Sequence, residues 1–194
     1  MTSVVLLSGG IDSTLALAMT QPALALSFDY GQTHKRELAA AQAVANYYSV
    51  EHRVLNIEGL LCDSALTGFG DIPEQHAEAP DATLVCGRNL VMLSIATAWA
   101  QARGLQSVVI GANRDDHNGY PDCRIPFINA VDDATRAGYG VAVWAPLIKM
   151  NKQQIVERAR ERDVPLYLTW SCYRGEDKPC GRCGACQSRT AAGA

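Results

Sequence analysis

Residues 4–14, Val4-Val5-Leu6-Leu7-Ser8-Gly9-Gly10-Ile11-Asp12-Ser13-Thr14, constrain this chain more than any other stretch. Four apolar residues in a row, two of them β-branched, read as a short buried strand. A hydroxyl, two glycines, an acid and two more hydroxyls come in the next seven positions, and residues 15–19 suit a helix. A strand feeding a glycine turn and then a helix N-terminus is an anion cradle. The first helical N–H groups have no intrahelical acceptor, and the helix dipole favours negative charge beside them. Gly9 and Gly10 let backbone approach an anion closely. Ser8, Ser13 and Thr14 add hydroxyl donors, and Asp12 or Ser13 also reads as a helix cap.

What the loop lacks narrows the anion. There is no G-x-x-x-x-G-K-[ST], so transfer of a γ-phosphate is disfavoured. There is no G-x-G-x-x-G, which argues against a dinucleotide fold. S-G-G-x-D-S behind an N-terminal strand instead resembles the pyrophosphate loop of the N-type ATP pyrophosphatases. That resemblance implies cleavage of ATP between its α and β phosphates, with AMP placed on an oxygen of the substrate. Asp12 is then a candidate for the Mg²⁺ or pyrophosphate site, because magnesium offsets phosphate charge.

The rest of the chain alternates. Strands are expected at 23–28, 51–57, 107–110 and 141–144, and helices at 35–48, 89–103, about 127–138 and 151–162. Strand–helix alternation predicts an α/β fold with a doubly wound parallel sheet. In such sheets ligands lie beyond the carboxyl ends of the strands, here loops 8–14, 29–34, 58–89, 111–124 and 145–150. Residues 59–82 read as a long loop, of a length that is usually functional or mobile. The helix at 89–103 is apolar nearly all round, which predicts deep burial or a subunit interface. Asn151 and Gln154 form a capping box. The 194 residues suit one domain, 1–194, and with a net charge of −3 there is no excess of basic charge to predict non-specific nucleic-acid binding. The start lacks the charged and apolar regions of a signal peptide, and no apolar run reaches the ~18 residues of a membrane span. A cytoplasmic protein is expected.

Four of the seven cysteines crowd the end of the chain, as Cys172-x7-Cys180-x2-Cys183-x2-Cys186. Such clustering without an export signal reads as metal binding rather than a disulfide scaffold. Four thiolates suit one tetrahedral, structural Zn²⁺; an iron–sulfur cluster is the rival. Residues 165–194 are therefore expected to form a small zinc knob. Cys62, Cys86 and Cys123 are expected as small buried hydrophobes.

Taken together, Ser8 to Thr14, Ser27-Phe28-Asp29-Tyr30-Gly31-Gln32, Arg88-Asn89, Gly119-Tyr120-Pro121-Asp122-Cys123-Arg124, Ala145-Pro146-Leu147 and Leu168-Thr169-Trp170-Ser171-Cys172-Tyr173 resemble the 7-cyano-7-deazaguanine (preQ0) synthase family. The match runs in order from near Val4 to near Cys186. The resemblance implies an ATP-dependent C–N ligase of queuosine biosynthesis. ATP adenylates 7-carboxy-7-deazaguanine, ammonia displaces AMP to give an amide, and a second ATP turns the amide into the nitrile. A variant stopping at the amide, or one using another deazapurine acid, remains open, as does a pyrophosphate-loop tRNA thiolase. Carried over, Leu7, Ser8, Gly9, Gly10, Ile11, Asp12, Ser13, Thr14, Leu15, Ala16 and Leu17 hold ATP with Mg²⁺. Asp12, Ser13 and Arg88 are the candidate catalytic residues. Tyr30, Asn89, His117, Tyr120 and Asp122 are the candidate substrate-binding residues, Asp122 because a carboxylate accepts from the donor-rich edge of the base. Arg88 and Asn89 read equally as a surface ion pair and a helix cap. Cys172, Cys180, Cys183 and Cys186 hold the metal. Small-molecule partners and a homodimer are expected, with no direct nucleic acid and no membrane. The chain departs from the family in Cys86-Gly87 where Pro-Ala is usual, and in His117-Asn118 where Tyr-Ser is usual.

Overall fold

The computed structural model describes residues 2–73, 80–175 and 177–194. Five parallel strands form one sheet: β1 (Ser3–Leu6), β2 (Leu24–Asp29), β3 (Glu51–Asn56), β4 (Ser107–Val109) and β5 (Ala142–Trp144). Their order is β3-β2-β1-β4-β5. The expected doubly wound α/β sheet is therefore present, with strand ends shifted by about a residue from the sequence reading. Such boundaries are weakly marked in sequence.

β1 lies in the middle, paired with β2 through Val5↔Ala25 and with β4 through Val5↔Val109. Successive side chains of a strand point to opposite faces. Val4 and Leu6 enter the core beneath helices α3 (Arg88–Ala102) and α4 (Ile125–Tyr139), while Val5 and Leu7 enter the core beneath α1 (Ile11–Thr20), α2 (Arg36–Tyr47) and α5 (Lys152–Glu161). A strand covered on both faces must be apolar throughout, which is why 4–7 is an unbroken hydrophobic run.

The chain moves outward from β1 to β2 and β3 on one side and to β4 and β5 on the other. The crevice where direction reverses opens above the carboxyl ends of β1 and β4. Two glycines let segments close in there. Gly9 sits at φ 81°, and a Cβ on it would lie 2.3 Å from the Glu37 carbonyl oxygen. A Cβ on Gly111 would lie 2.9 Å from the Ser13 nitrogen. The loop after β1 thus presses on the start of α2, and the loop after β4 presses on α1.

Three expectations change. α3 is one-sided rather than deeply buried: Leu93, Ala96 and Ala100 reach the core, but Leu90 is 48% exposed. Its exposed positions include Leu90, Ser94, Ala98 and Gln101, while Val91, Met92, Ile95 and Trp99 pack against the core, so Leu90 is what remains for the alternative reading, a subunit contact. The region 59–82 carries 3-10 turns at Ala65–Thr67 and Pro80–Thr83, the first closed by a Ser64–Thr67 capping box; its residues 74–79 lie outside the described residues. The cysteine tail contains a helix, α6 (Gly184–Ala191), capped by Cys183. Its small, polar sequence has no apolar stripe, so nothing in the periodicity announces it. The Asn151–Gln154 capping box opens α5 as expected.

Candidate active site and metal centre

A cavity of about 490 Å³ occupies the crevice. The loop after β1 forms one end. Leu7, Ser8, Gly10, Ile11, Asp12 and Ser13 border it. Gly10 caps α1, not Asp12 or Ser13. The hydroxyls brace the loop itself: Ser8 Oγ and Ser13 Oγ share a hydrogen bond of 3.0 Å, and the Gly10 N–H donates to Ser8 Oγ (3.3 Å). Gly9, Thr14, Leu15, Ala16 and Leu17 do not border the cavity. Gly9 is wedged against α2, Thr14 Oγ1 donates to the Gly10 carbonyl (2.8 Å), and Leu15, Ala16 and Leu17 lie in the core.

Asp12 faces a group that the sequence reading missed. Lys152, the first residue of α5, donates to Asp12 Oδ1 at 2.8 Å and Oδ2 at 2.5 Å. Asn113 Nδ2 donates to both Asp12 Oδ2 (3.1 Å) and Asp116 Oδ2 (2.7 Å). Asp115 accepts the Lys152 backbone N–H (2.8 Å). Burial works against the Lys152 ammonium, but Asp12, Asp116 and Asp115 outweigh it and hold its pKa above the ordinary value. Burial, followed by the charge of Asp12, pushes the Asp116 carboxyl up to about 6. A signal for Lys152 did exist. A cation at a helix N-terminus opposes the dipole, so a lysine there needs another reason.

Another part of the lining is aromatic and cationic. Arg88 lies over the Tyr30 ring at 5.7 Å and approaches its hydroxyl at 3.5 Å. Among the described residues no carboxylate lies within ion-pair distance of Arg88. Burial opposes its charge, but the hydroxyls of Tyr30, Tyr173 and Tyr120 and the Asp122 carboxylate keep it firmly protonated. Burial pushes the Tyr30 hydroxyl up to about 12. Tyr120 bonds Thr83 through its hydroxyl (2.8 Å). The turn after β2 is held by Gln32, which accepts the Tyr30 N–H (2.8 Å) and donates to the Phe28 carbonyl (3.0 Å) and Glu37 (2.9 Å). Glu37 in turn pairs with His34 Nε2 (3.1 Å).

Tyr30, Arg88, Asn89 and Tyr120 border the cavity; Asp122 and His117 do not. The Asp122 carboxylate instead accepts the backbone N–H of Asn89 (3.2 Å), while Asn89 Nδ2 donates to the Asp122 carbonyl (3.2 Å) and Cys123 Sγ (3.4 Å). That exchange caps α3, whose free N–H groups need an acceptor. His117 Nε2 is buried without a hydrogen-bond partner among the described residues. The cavity wall includes Trp170, Ser171, Tyr173, Ser188 and Arg189 from the C-terminal segment, which the sequence reading had kept apart from the site.

Cys172, Cys180, Cys183 and Cys186 converge, with all four sulfurs within 4.8 Å of one another. A tetrahedral site with Zn–S bonds of about 2.3 Å places sulfurs about 3.8 Å apart, and Cys180 and Cys186 are 4.0 Å apart. Backbone N–H groups of Arg174 and Cys180 point at Cys172 Sγ (both 3.4 Å), and that of Cys183 at Cys180 Sγ (3.3 Å). Such donors favour thiolates, so the residues fit one metal ion. The expectation for the other cysteines fails in part. Cys62 and Cys86 are exposed; only Cys123 is buried, its thiol pushed up to about 12 by burial.

Comparison with known proteins places this geometry. The chain is 42% identical over 209 residues to the 7-cyano-7-deazaguanine synthase of Parasynechococcus marenigrum (strain WH8102), covering 98% of this chain and 92% of that one. It is 43% identical over 202 residues to 7-cyano-7-deazaguanine synthase 2 of Desulfitobacterium hafniense (strain Y51), covering 96% and 86%. The solved structure of NMN synthetase from Francisella tularensis superposes with a TM-score of 0.55 at 20% identity, over 93% of this chain and 70% of that one, and shares the fold. The model of the family described as queuosine biosynthesis protein QueC matches residues 2–193. With the family match running over nearly the whole chain, this protein belongs to the QueC family.

Proposed function

We propose that the protein joins ammonia to 7-carboxy-7-deazaguanine in an ATP-driven reaction that releases AMP and pyrophosphate and ends at the nitrile, 7-cyano-7-deazaguanine. The observation that carries this reading is one cavity in a QueC-family chain, lined by the glycine loop and Lys152 and by Arg88 among tyrosines, with no carboxylate in ion-pair distance of Arg88 among the described residues. A carboxylate expels its oxygen poorly, and adenylation supplies a better leaving group. The protein must then hold two reactants in line and keep water out.

In this reading the loop from Leu7 to Ser13 and the start of α1 receive the phosphates, and Lys152 offsets the charge that develops on them. Asp12 aims the Lys152 ammonium and, with Asp116, offers hard oxygens for the Mg²⁺ that accompanies ATP and neutralises its phosphates. Ser13 steadies the loop through Ser8. Arg88 takes the acceptor carboxylate, since a half-buried guanidinium with no carboxylate in ion-pair distance among the described residues is free to pair with one. Tyr30 and Tyr120 flank the base, and Asn89 with Asp122 fixes the start of α3 beneath it. The four cysteines hold one structural Zn²⁺ with no open position. We infer a cytoplasmic enzyme acting on small molecules, without nucleic acid, as a homodimer.

The test combines protein, ATP, Mg²⁺, ammonium and 7-carboxy-7-deazaguanine, with mass spectrometry of the products. The expected products are the nitrile, AMP and pyrophosphate. The amide alone would identify a variant that stops halfway, and ADP with phosphate would overturn the reading.

A further inference from the structure

The donor-rich edge of a deazaguanine needs an acceptor. Asp122, expected for that task, is turned to α3 and does not border the cavity. His34 does border it. This residue lies between β2 and α2 and is only 2% exposed, and its Nδ1 is buried without a hydrogen-bond partner among the described residues. A buried polar atom left unpaired in a cavity wall costs free energy until something in the cavity bonds to it. The other ring nitrogen is committed. His34 Nε2 lies 3.1 Å from Glu37 Oε2, and a carboxylate only accepts, so Nε2 carries the proton and Nδ1 of the neutral ring presents its lone pair. Glu37 is held in turn by Gln32 Nε2 (2.9 Å), and Gln32 Oε1 accepts the Tyr30 N–H (2.8 Å). The His34 ring is thus tied to a tyrosine that flanks the base. Tyr173 meets that ring edge-on, with centroids 5.7 Å apart. A Cβ on Gly175 would lie 2.9 Å from His34 Cα, so the C-terminal segment closes over the same residue.

We propose that His34 is the specificity-determining residue for the acceptor, taking an N–H of its exocyclic 2-amino group at Nδ1; this rests on the reaction proposed above. The ring N–H groups of the base lie flush with its edge. The amine projects beyond that edge, so it is the donor that reaches a lone pair set back in the wall. Glu37 fixes which nitrogen carries the proton, and Gln32 fixes Glu37, so the acceptor is in place before the base arrives. An acid of the same shape without the amine would bury Nδ1 unpaired, and a site built around a substrate N–H rejects an analogue that lacks it.

The experiment compares two acceptors, 7-carboxy-7-deazaguanine and the same acid without its 2-amino group. Acceptor-dependent exchange of labelled pyrophosphate into ATP reports adenylation of each. The quantity read is the ratio of the two kcat/KM values, which does not depend on how much of a preparation is folded. The unmodified protein is expected to favour the amine-bearing acid by about 100-fold. His34→Gln sets its amide near the place of Nε2, so it keeps a partner for Glu37 and offers nothing at Nδ1; the preference should shrink to about threefold or less. His34→Asn sets an amide oxygen near the place of Nδ1 and gives up Glu37; it should keep a preference of about tenfold or more. A histidine that only braces Glu37 would give the reverse order, with Gln tolerated and Asn harmful. That reverse order, equal ratios in the two variants, or no preference in the unmodified protein would overturn the role of His34. Absence of exchange with 7-carboxy-7-deazaguanine in the unmodified protein would overturn the reaction itself, and the amine contact with it.

Discussion

Asp116, Lys152 and Asp122 show how much a single side chain depends on its surroundings. Asp116 holds its proton more tightly folded than unfolded, so its ionisation costs stability. The penalty is absent below about 4, where both states are protonated, grows through about 6, and is complete above it. Asp116→Asn removes the penalty while Asn Oδ1 still accepts from Asn113. Its gain in melting temperature should therefore be near zero at pH 4 and positive at pH 7.5, measured by calorimetry at both values. Lys152 behaves in the opposite sense. It gains anionic partners on folding, so its contribution is full below the unfolded lysine pKa and is lost only in strong alkali. Lys152→Met should reduce pyrophosphate exchange by about 100-fold or more, because a cation aimed at the reacting phosphates is lost. Retained exchange would show that Lys152 only pairs with Asp12.

At the scale of elements, the C-terminal segment is the surprise. The Trp170 N–H donates to the Gly9 carbonyl (2.9 Å), and Arg189 on α6 donates to the Leu166 carbonyl (2.9 Å) and to Thr169 Oγ1 (2.9 Å). Arg36 on α2 stacks over Trp170 at 5.4 Å. The cysteine knob is thus one wall of the cavity and a clamp on the loop after β1. Cys183→Ser should lower bound zinc and the melting temperature together. It should also weaken the stabilisation that ATP and acceptor confer on the protein, which a knob serving stability alone would leave intact; thermal shift with and without ligands reads both. Stoichiometric iron with visible absorption would replace zinc by a cluster. Gly9→Ala tests the clamp from the other side. Its Cβ would collide with the Glu37 carbonyl at a positive φ. We expect a loss of about 2 kcal/mol or more in denaturant unfolding, since backbone rather than a flexible side chain must move.

For the whole molecule, these ties argue that residues 1–194 unfold as one unit despite the appended knob. Calorimetry should show one transition whose van't Hoff and calorimetric enthalpies agree. Two transitions would make the knob a separate unit. Among the described residues no helix is long and apolar enough to cross a membrane. The exposed side of α3, with Leu90 half-exposed, is where the proposed homodimer would have its contact. Light scattering should give twice the chain mass, and Leu90→Glu should return it to one.

The parts of this protein determined by sequence alone are those built from neighbours in the chain. The buried run at 4–7, the glycine turn and α1 are contiguous, so periodicity and turn chemistry reveal them. The cysteine spacing reveals a cluster that could hold a metal for the same reason, and Asn151 with Gln154 reveals the start of α5. What only tertiary structure decided is which distant side chains meet. Asp12 finds Lys152 across the two helices beneath one face of the sheet, and Asn113 joins Asp12 to Asp116 because the parallel order sets β4 beside β1. Asp122, two residues from Tyr120, turns to α3 while Tyr120 turns to the cavity. Trp170 reaches Gly9 only because the tail folds back over the sheet. Local pattern specifies the elements; the packing of both sheet faces sets their relative positions, and the site lies in the gaps between them.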